Sequence, residues 1–253
     1  MKAEVEIVAD AQELGRVAAE VFVRAAHDAV AQKGVFSVAL AGGSTPKSLY
    51  TLLESDEEHY RTQLPWNRMH FFWGDERHLP PDHFESNYRM AYEAMLAKVP
   101  VPAGNVHRIK SEIEDASRAA HDYEQTLREF FSLAEGEMPR FDLVLLGMGP
   151  DGHVASIFPG SDVINEESRL VVAPFVRQLN CYRITLTLPV LNHAAFVVFM
   201  VSGANKAGAL RAVLENDNKR DPLPAKLISP NTEGRLLWLV DEQAACLLQR
   251  ACN

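Results

Sequence analysis

Asp151 and His153 stand one residue apart in GMGPDGHVAS (Gly147–Ser156), directly after the apolar run FDLVLL. Both are side-chain types that enzymes use in catalysis, and here they stand where a strand ends. A turn aspartate beside a surface histidine accounts for the local sequence equally well. The loop also fits G-x-G-x-x-G through Gly147, Gly149 and Gly152. That fingerprint needs a helix opening at its last glycine and an acid about 20 residues on, at the end of the next strand. Here Pro159-Gly160 interrupts soon after Gly152, and the next apolar run ends at Pro174-Phe175 without a carboxylate. The nucleotide reading is therefore disfavoured. Read as chemistry, the glycines let the backbone turn tightly and approach a ligand closely.

Three further segments carry polar groups in suggestive patterns. AGGSTPKSLY places Gly42, Gly43, Ser44, Thr45 and Pro46 before a helical stretch. Backbone N–H groups and a helix N-terminus there would suit a phosphate. Plain capping by Ser44 or Thr45, with Pro46 in the first turn, explains the same residues. SGANK repeats the pattern and adds Lys206, a cation poorly placed against a helix dipole unless an anion joins it. A solvated surface lysine is the plain alternative. WGDERHLPPDHFESNY supplies Asp75, Glu76 and Arg77 in what reads as a long, proline-containing loop. Its His78 and His83 match no common metal-ligand spacing, so no metal is expected.

These segments need elements to position them. Val35–Ala41, Met69–Trp73, Phe141–Gly147, Arg169–Phe175, Arg183–Leu188, Ala195–Val201 and Leu236–Val240 read as strands, most of them short apolar runs of the kind buried on both faces. Asp10–Lys33 repeats apolar residues at helical spacing and stops at Gly34. Ser86 reads as the N-cap of a helix through about Lys98, and Asp115–Leu133 and Ala204–Glu215 are further helices. The alternation predicts an α/β fold with a largely parallel sheet flanked by helices, and no linker interrupts residues 1–253, which read as one domain. Ligands of open α/β sheets bind at the carboxyl ends of the strands. GGSTP, GDER, GMGPDGH and SGANK each follow a predicted strand, so parallel strands would bring the four loops to one edge.

Composition narrows the partners. The net charge is −9 and no Lys/Arg block stands out, which argues against nucleic acid. A small anion remains compatible, because a few local cations can hold it. Cys181, Cys246 and Cys252 form no C-x-x-C, and any disulfide would leave one unpaired, which favours a reducing compartment. MKAEVEIVADAQELG has no apolar signal core, and AAFVVFMV is far shorter than the ~20 residues of a membrane helix. A cytoplasmic protein, monomeric or a small homo-oligomer, is expected.

ALAGGSTP, FFWGDERHLPPDHFESN, GMGPDGHVASIFPGS, RITLTLPVLN, VSGANKAGAL and LPAKLISP occur here in the order found in 6-phosphogluconolactonases. The chain resembles that family over nearly its whole length. The resemblance implies hydrolysis of 6-phospho-D-glucono-1,5-lactone to 6-phosphogluconate in the pentose phosphate pathway, with no cofactor, on a fold similar to glucosamine-6-phosphate deaminases and ribose-5-phosphate isomerases. The deaminases share the G-G-[ST]-P and D-G-H loops and are the competing reading. They have D-E-Y where this chain has Asp75-Glu76-Arg77, and a catalytic glutamate where it has Phe158. A lactone needs one base for water and a means of stabilising an oxyanion, so losing that glutamate fits the simpler reaction. A sugar-phosphate sensor is a third reading, against which no helix-turn-helix or basic segment is left over. On the lactonase reading, Lys206, backbone amides and Arg77 or Arg183 hold the phosphate, His153 activates water, and Asp151 orients the imidazole. Asp75 is kept from the shared pattern.

Overall fold

Strands with no polar residue to show to solvent must be covered on both sides, and the centre of this molecule is built that way. The computed structural model describes residues 3–56, 59–215, 222–231 and 233–249. Its strands are β1 (Glu4–Val8), β2 (Phe36–Leu40), β3 (Met69–Trp73), β4 (Asp75–Arg77), β5 (Leu143–Leu146), β6 (Val171–Val172), β7 (Phe175–Val176), β8 (Cys181–Leu186), β9 (Phe196–Val201) and β10 (Arg235–Asp241). Its helices are α1 (Ala11–Lys33), α2 (Ser44–Glu54), α3 (Tyr60–Gln63), α4 (Asn87–Ala91), α5 (Ala116–Phe131), α6 (Leu188–His193), α7 (Ala207–Glu215) and α8 (Glu242–Ala245). Six strands form one sheet in the order β1-β10-β9-β5-β2-β3, every pair parallel. All residues of β2 and β5 are buried.

The helix limits follow their caps. Asp10 accepts from the backbone N–H groups of Gln12 and Glu13 at the start of α1, and Gly34, at φ 81°, ends it. Ser86 accepts from Arg89 N–H at the start of α4, which continues as one wider turn through Tyr92–Leu96. Asp115 caps α5 in the same way.

Three expectations change. The edge strand β1 is missing from the sequence reading because its residues are mostly exposed and alternate with charge. Arg169–Phe175 is not one strand: it divides at Ala173-Pro174 into β6 and β7, which pair antiparallel with β8. Pro174 has no N–H to give a ladder. Its carbonyl instead accepts from Arg183 N–H at 3.0 Å. The GDER segment is not a loop throughout, since Asp75–Arg77 is β4 and pairs antiparallel with β8, Arg77 opposite Arg183. Gly74 joins this small sheet to the large one, donating to Leu40 O and accepting from Leu186 N–H.

The strand ends nearest the site are clamped by buried tyrosines. The Tyr50 hydroxyl accepts from Ala41 N–H and donates to Ala41 C=O; the Tyr123 hydroxyl treats Trp73 identically. Burial pushes both phenols up from their usual range, so each keeps the proton it donates. Tyr50→Phe should therefore leave both polar groups of Ala41 buried and unpaired, costing about 1–3 kcal/mol. Thermal unfolding is the check, with Tm expected to fall by about 2–12 °C in a protein of this size. An unchanged Tm would show that the clamp has no energetic weight.

Candidate active site

The four polar segments do meet. In the sheet, β9, β5, β2 and β3 are consecutive neighbours, so the segments leaving their carboxyl ends line one edge. Three adjoining spaces open there. A central cavity of about 200 Å³ is lined by Gly42, Gly43, Asp75, Arg77, Asn87, Gly149, His153 and Lys206 among others. A hollow of about 270 Å³ lies between the GGSTP and SGANK segments, and an outer recess of about 350 Å³ runs past His153 to Arg183. Alone, the first two fall below the usual range of about 300–1,000 Å³ for ligand sites and the third sits at its lower end. Lys206 is shared by the first two and His153 by the first and third, so they form one continuous cleft.

No helix follows Gly152, which removes the nucleotide reading. Gly152 N–H instead closes a turn onto Gly149 C=O, and the chain doubles back so that Gly149 N–H donates to His153 C=O. A Cβ on Gly149 would collide with the His153 ring and the Asp151 carboxylate, so glycine is required for the pair to meet. Asp151 Oδ1 lies 2.6 Å from His153 Nδ1 and also accepts the His153 backbone N–H at 3.2 Å. A carboxylate can only accept, so Nδ1 carries a proton, and in the neutral ring Nε2 is then the nitrogen with the lone pair. Burial pushes the Asp151 carboxyl up, but the charge of protonated His153 and hydrogen bonds from its backbone and ring outweigh it, holding the carboxyl below its usual range. Phe158 stacks on the imidazole, ring centroids 4.3 Å apart.

Asp75 faces the same cavity, held on both oxygens. Oδ2 accepts from Ser156 Oγ at 2.5 Å and Oδ1 from Asn87 Nδ2 at 3.3 Å. Asn87 also donates to Asp75 C=O and packs so closely on Gly42 that no side chain fits there. Glu76 lines none of the three spaces. It is buried and accepts from Ser86 Oγ and from the N–H groups of Arg77, Asn87 and Tyr88, which makes it an anchor for the start of α4. Burial pushes its carboxyl up, the three backbone N–H groups oppose that, and the Asp75 charge adds to the rise. His78 and His83 are also committed to backbone, His78 Nε2 with Ile113 C=O and His83 Nδ1 with Glu85 N–H.

At the other end, Gly43 is the N-cap of α2, and no side chain caps this helix. Ser44 and Thr45 line the hollow, and the first-turn N–H groups of α2 beside it carry no side-chain cap. Lys206 closes the far wall, in the turn Ala204–Lys206 that leads into α7. Burial pushes its ammonium down from the ordinary lysine range, and the Asp151 charge restores part of it. Neither arginine lines this hollow. Arg77 reaches the central cavity and the outer recess, with Nη1 donating to Glu85 C=O at 2.6 Å, while Arg183 lines the outer recess alone.

Asn87 and Ser156 were not singled out from the sequence. Asn87 lies inside a quoted motif, yet only the fold shows that it faces Asp75.

An aspartate-paired histidine at the carboxyl edge of a parallel sheet, with an amide-and-lysine hollow beside it, defines an α/β enzyme acting on a small anionic substrate. Residues 9–238 match the family model described as glucosamine-6-phosphate isomerases/6-phosphogluconolactonase. The chain is 40% identical over 248 residues to a 6-phosphogluconolactonase of Nostoc sp., covering 98% of this chain and 99% of that protein. The solved 6-phosphogluconolactonase from Trypanosoma cruzi superposes with a TM-score of 0.86 at 32% identity, covering 98% of this chain and 97% of the other. A monomeric glucosamine-6-phosphate deaminase superposes at 0.77 over 96% and 99%, and at 23% identity that likeness concerns the fold. The chain belongs to the glucosamine-6-phosphate isomerase/6-phosphogluconolactonase family. No helix among the described residues is long and apolar enough to cross a membrane.

Proposed function

We propose that residues 1–253 form one domain that hydrolyses 6-phospho-D-glucono-1,5-lactone to 6-phospho-D-gluconate, a step of the oxidative pentose phosphate pathway. The observation that carries this is the Asp151–His153 contact of 2.6 Å in a cleft whose other end is the Lys206 hollow. The phosphate sits in the hollow against Lys206 and the first-turn amides of α2, with Gly42, Gly43, Ser44 and Thr45 around it. The lactone carbonyl then lies towards His153. Nε2 takes a proton from water as the water oxygen bonds to C1, and the carbonyl oxygen becomes an oxyanion. When the oxyanion collapses, the bond from C1 to the ring oxygen breaks, and the imidazolium returns its proton to that oxygen. Asp151 stabilises the imidazolium, and Arg77, in the central cavity, adds positive charge near the oxyanion. Asp75 is placed to accept from a sugar hydroxyl. No step needs a cofactor. Phe158 on the imidazole supports hydrolysis over deamination, because no second acid stands there to shuttle protons between carbons. The cytoplasm is the proposed location, supported by the free thiols Cys181 and Cys246; Cys252 lies outside the described residues.

The test is a coupled assay with freshly generated 6-phosphogluconolactone, corrected for spontaneous hydrolysis, alongside glucosamine 6-phosphate with ammonia as readout. Ammonia release without lactone turnover would replace this reading with the deaminase.

The pH dependence follows from the same groups. Lys206 binds phosphate only while charged, and burial lowers its pKa, so its charge is lost as pH rises before an ordinary lysine near about 10.4 would lose it. A bound phosphate raises that pKa again. The alkaline fall should therefore appear in kcat/KM for the phosphorylated lactone and not in kcat. Calorimetric titration of 6-phosphogluconate from neutral pH to beyond about pH 10.4 reads it directly, and constant affinity over that range would count against Lys206.

A further inference from the structure

The SGANK wall of the hollow rests on a buried acid that the mechanism above does not use. Asp241 is the last residue of β10 and is 2% exposed. β10 runs parallel beside β9 with Val240 opposite Val201, which brings Asp241 next to the first residues after β9. Its Oδ2 accepts from Ser202 Oγ at 2.5 Å, both oxygens accept from Gly203 N–H at 3.1 Å, and Oδ1 accepts from Ala244 N–H at 2.7 Å. Its partners among the described residues are thus hydroxyl and amide donors, not a lysine or arginine.

We propose that Asp241 is a positioning residue for substrate binding: its carboxylate fixes the Ser202–Gly203 turn, and through it the direction in which Lys206 meets the phosphate. Gly203 adopts φ 97°, a conformation that side chains rarely take, and in it the N–H points at Asp241 while the following turn carries Lys206 into the hollow. The ends of β2 and β3, further along the sheet, each need one group that both donates and accepts, and tyrosine hydroxyls supply it. Here two donors come from the end of β9, Ser202 Oγ and Gly203 N–H, and a third from Ala244 N–H of α8, which Asp241 caps, and only a carboxylate accepts all of them. An amide in its place has one acceptor oxygen and would set its NH₂ against a backbone N–H. Burying a carboxylate without a cation is a poor way to add stability. Its use here is geometric, to hold the turn at one angle.

This inference rests on the reading that Lys206 holds the phosphate, so the experiment carries that reading as its own arm. KM and kcat are measured for 6-phosphogluconolactone and unphosphorylated gluconolactone in wild type, Asp241→Asn, Ser202→Ala, Lys206→Ala and the Asp241→Asn/Lys206→Ala double variant, with circular dichroism and thermal melts to report folding. Asp241→Asn should raise KM for the phosphorylated lactone about tenfold, the equivalent of one charge-assisted hydrogen bond, with a much smaller change in kcat and in turnover of the plain lactone. Ser202→Ala, which removes one donor and leaves the acid, should raise the same KM by a smaller factor. In the double variant Asp241→Asn should add little to Lys206→Ala, because the acid acts through the lysine. A folded Asp241→Asn protein with wild-type KM, an equal loss on both lactones, or full additivity with Lys206→Ala would each overturn the proposal. If Asp241→Asn does not fold, an unchanged KM in Ser202→Ala overturns it. If Lys206→Ala itself treats the two lactones alike, the phosphate assignment is what has failed.

Discussion

His153→Ala is expected to lower kcat for 6-phosphogluconolactone by about 10²–10⁴-fold, the usual contribution of a positioned general base. The fold should survive the change. The His153 side chain is 29% exposed, and its contacts are the Asp151 carboxylate and the face of Phe158. Neither is a core contact whose loss would expose the sheet. KM should change far less than kcat, because the anion is held at the opposite end of the cleft. Rates must be compared after subtracting spontaneous hydrolysis, which sets the floor that the variant approaches. A folded His153→Ala protein with near wild-type kcat would remove histidine from the mechanism and turn attention to Asp75, a carboxylate that lines the central cavity.

The parts of this arrangement that could be read from sequence are those decided locally. β3 coincides with its run, and β2, β5 and β9 fall within theirs, because a strand buried on both faces is dominated by apolar residues, with Ser37 of β2 and His70 of β3 as isolated exceptions. Asp10, Ser86 and Asp115 mark their helices because a cap acts within three residues. Asp151 and His153 are legible as a pair for the same reason. What depended on distant partners was not legible. β4 is three polar residues made into a strand only by β8, far along the chain, and β1 is an exposed edge without an apolar run. Asn87, Ser156 and Asp241 acquire their roles from groups on other elements. The GGSTP segment is the instructive middle case. Its residues suit either capping or an anion, and only the backbone distinguishes them: Gly43, not Ser44 or Thr45, occupies the cap, so no side chain covers the first-turn amides beside the hollow.

That hollow is where substrate class is decided, and Lys206→Ala tests it. The lysine sits at a helix start, where the dipole already favours an anion, and it is partly removed from water with only the Asp151 charge in its favour. A phosphate would supply the missing counter-charge to both the lysine and the α2 amides. A hydrogen bond to a charged group contributes roughly 1.5–3 kcal/mol. Lys206→Ala should therefore reduce kcat/KM for 6-phosphogluconolactone by about ten- to a hundred-fold. Turnover of unphosphorylated gluconolactone, which has nothing to place in the hollow, should fall much less. Lys206→Arg should recover only part of the loss, because a planar fork does not reproduce a compact ammonium in a hollow shaped around one. Measuring kcat/KM for both lactones in the three proteins decides between the alternatives. Equal losses on both substrates would make Lys206 a support for the fold or the chemistry. No loss on either would mean that the phosphate is held elsewhere, and Arg77 and Arg183, at the other end of the cleft, would be the residues to replace next.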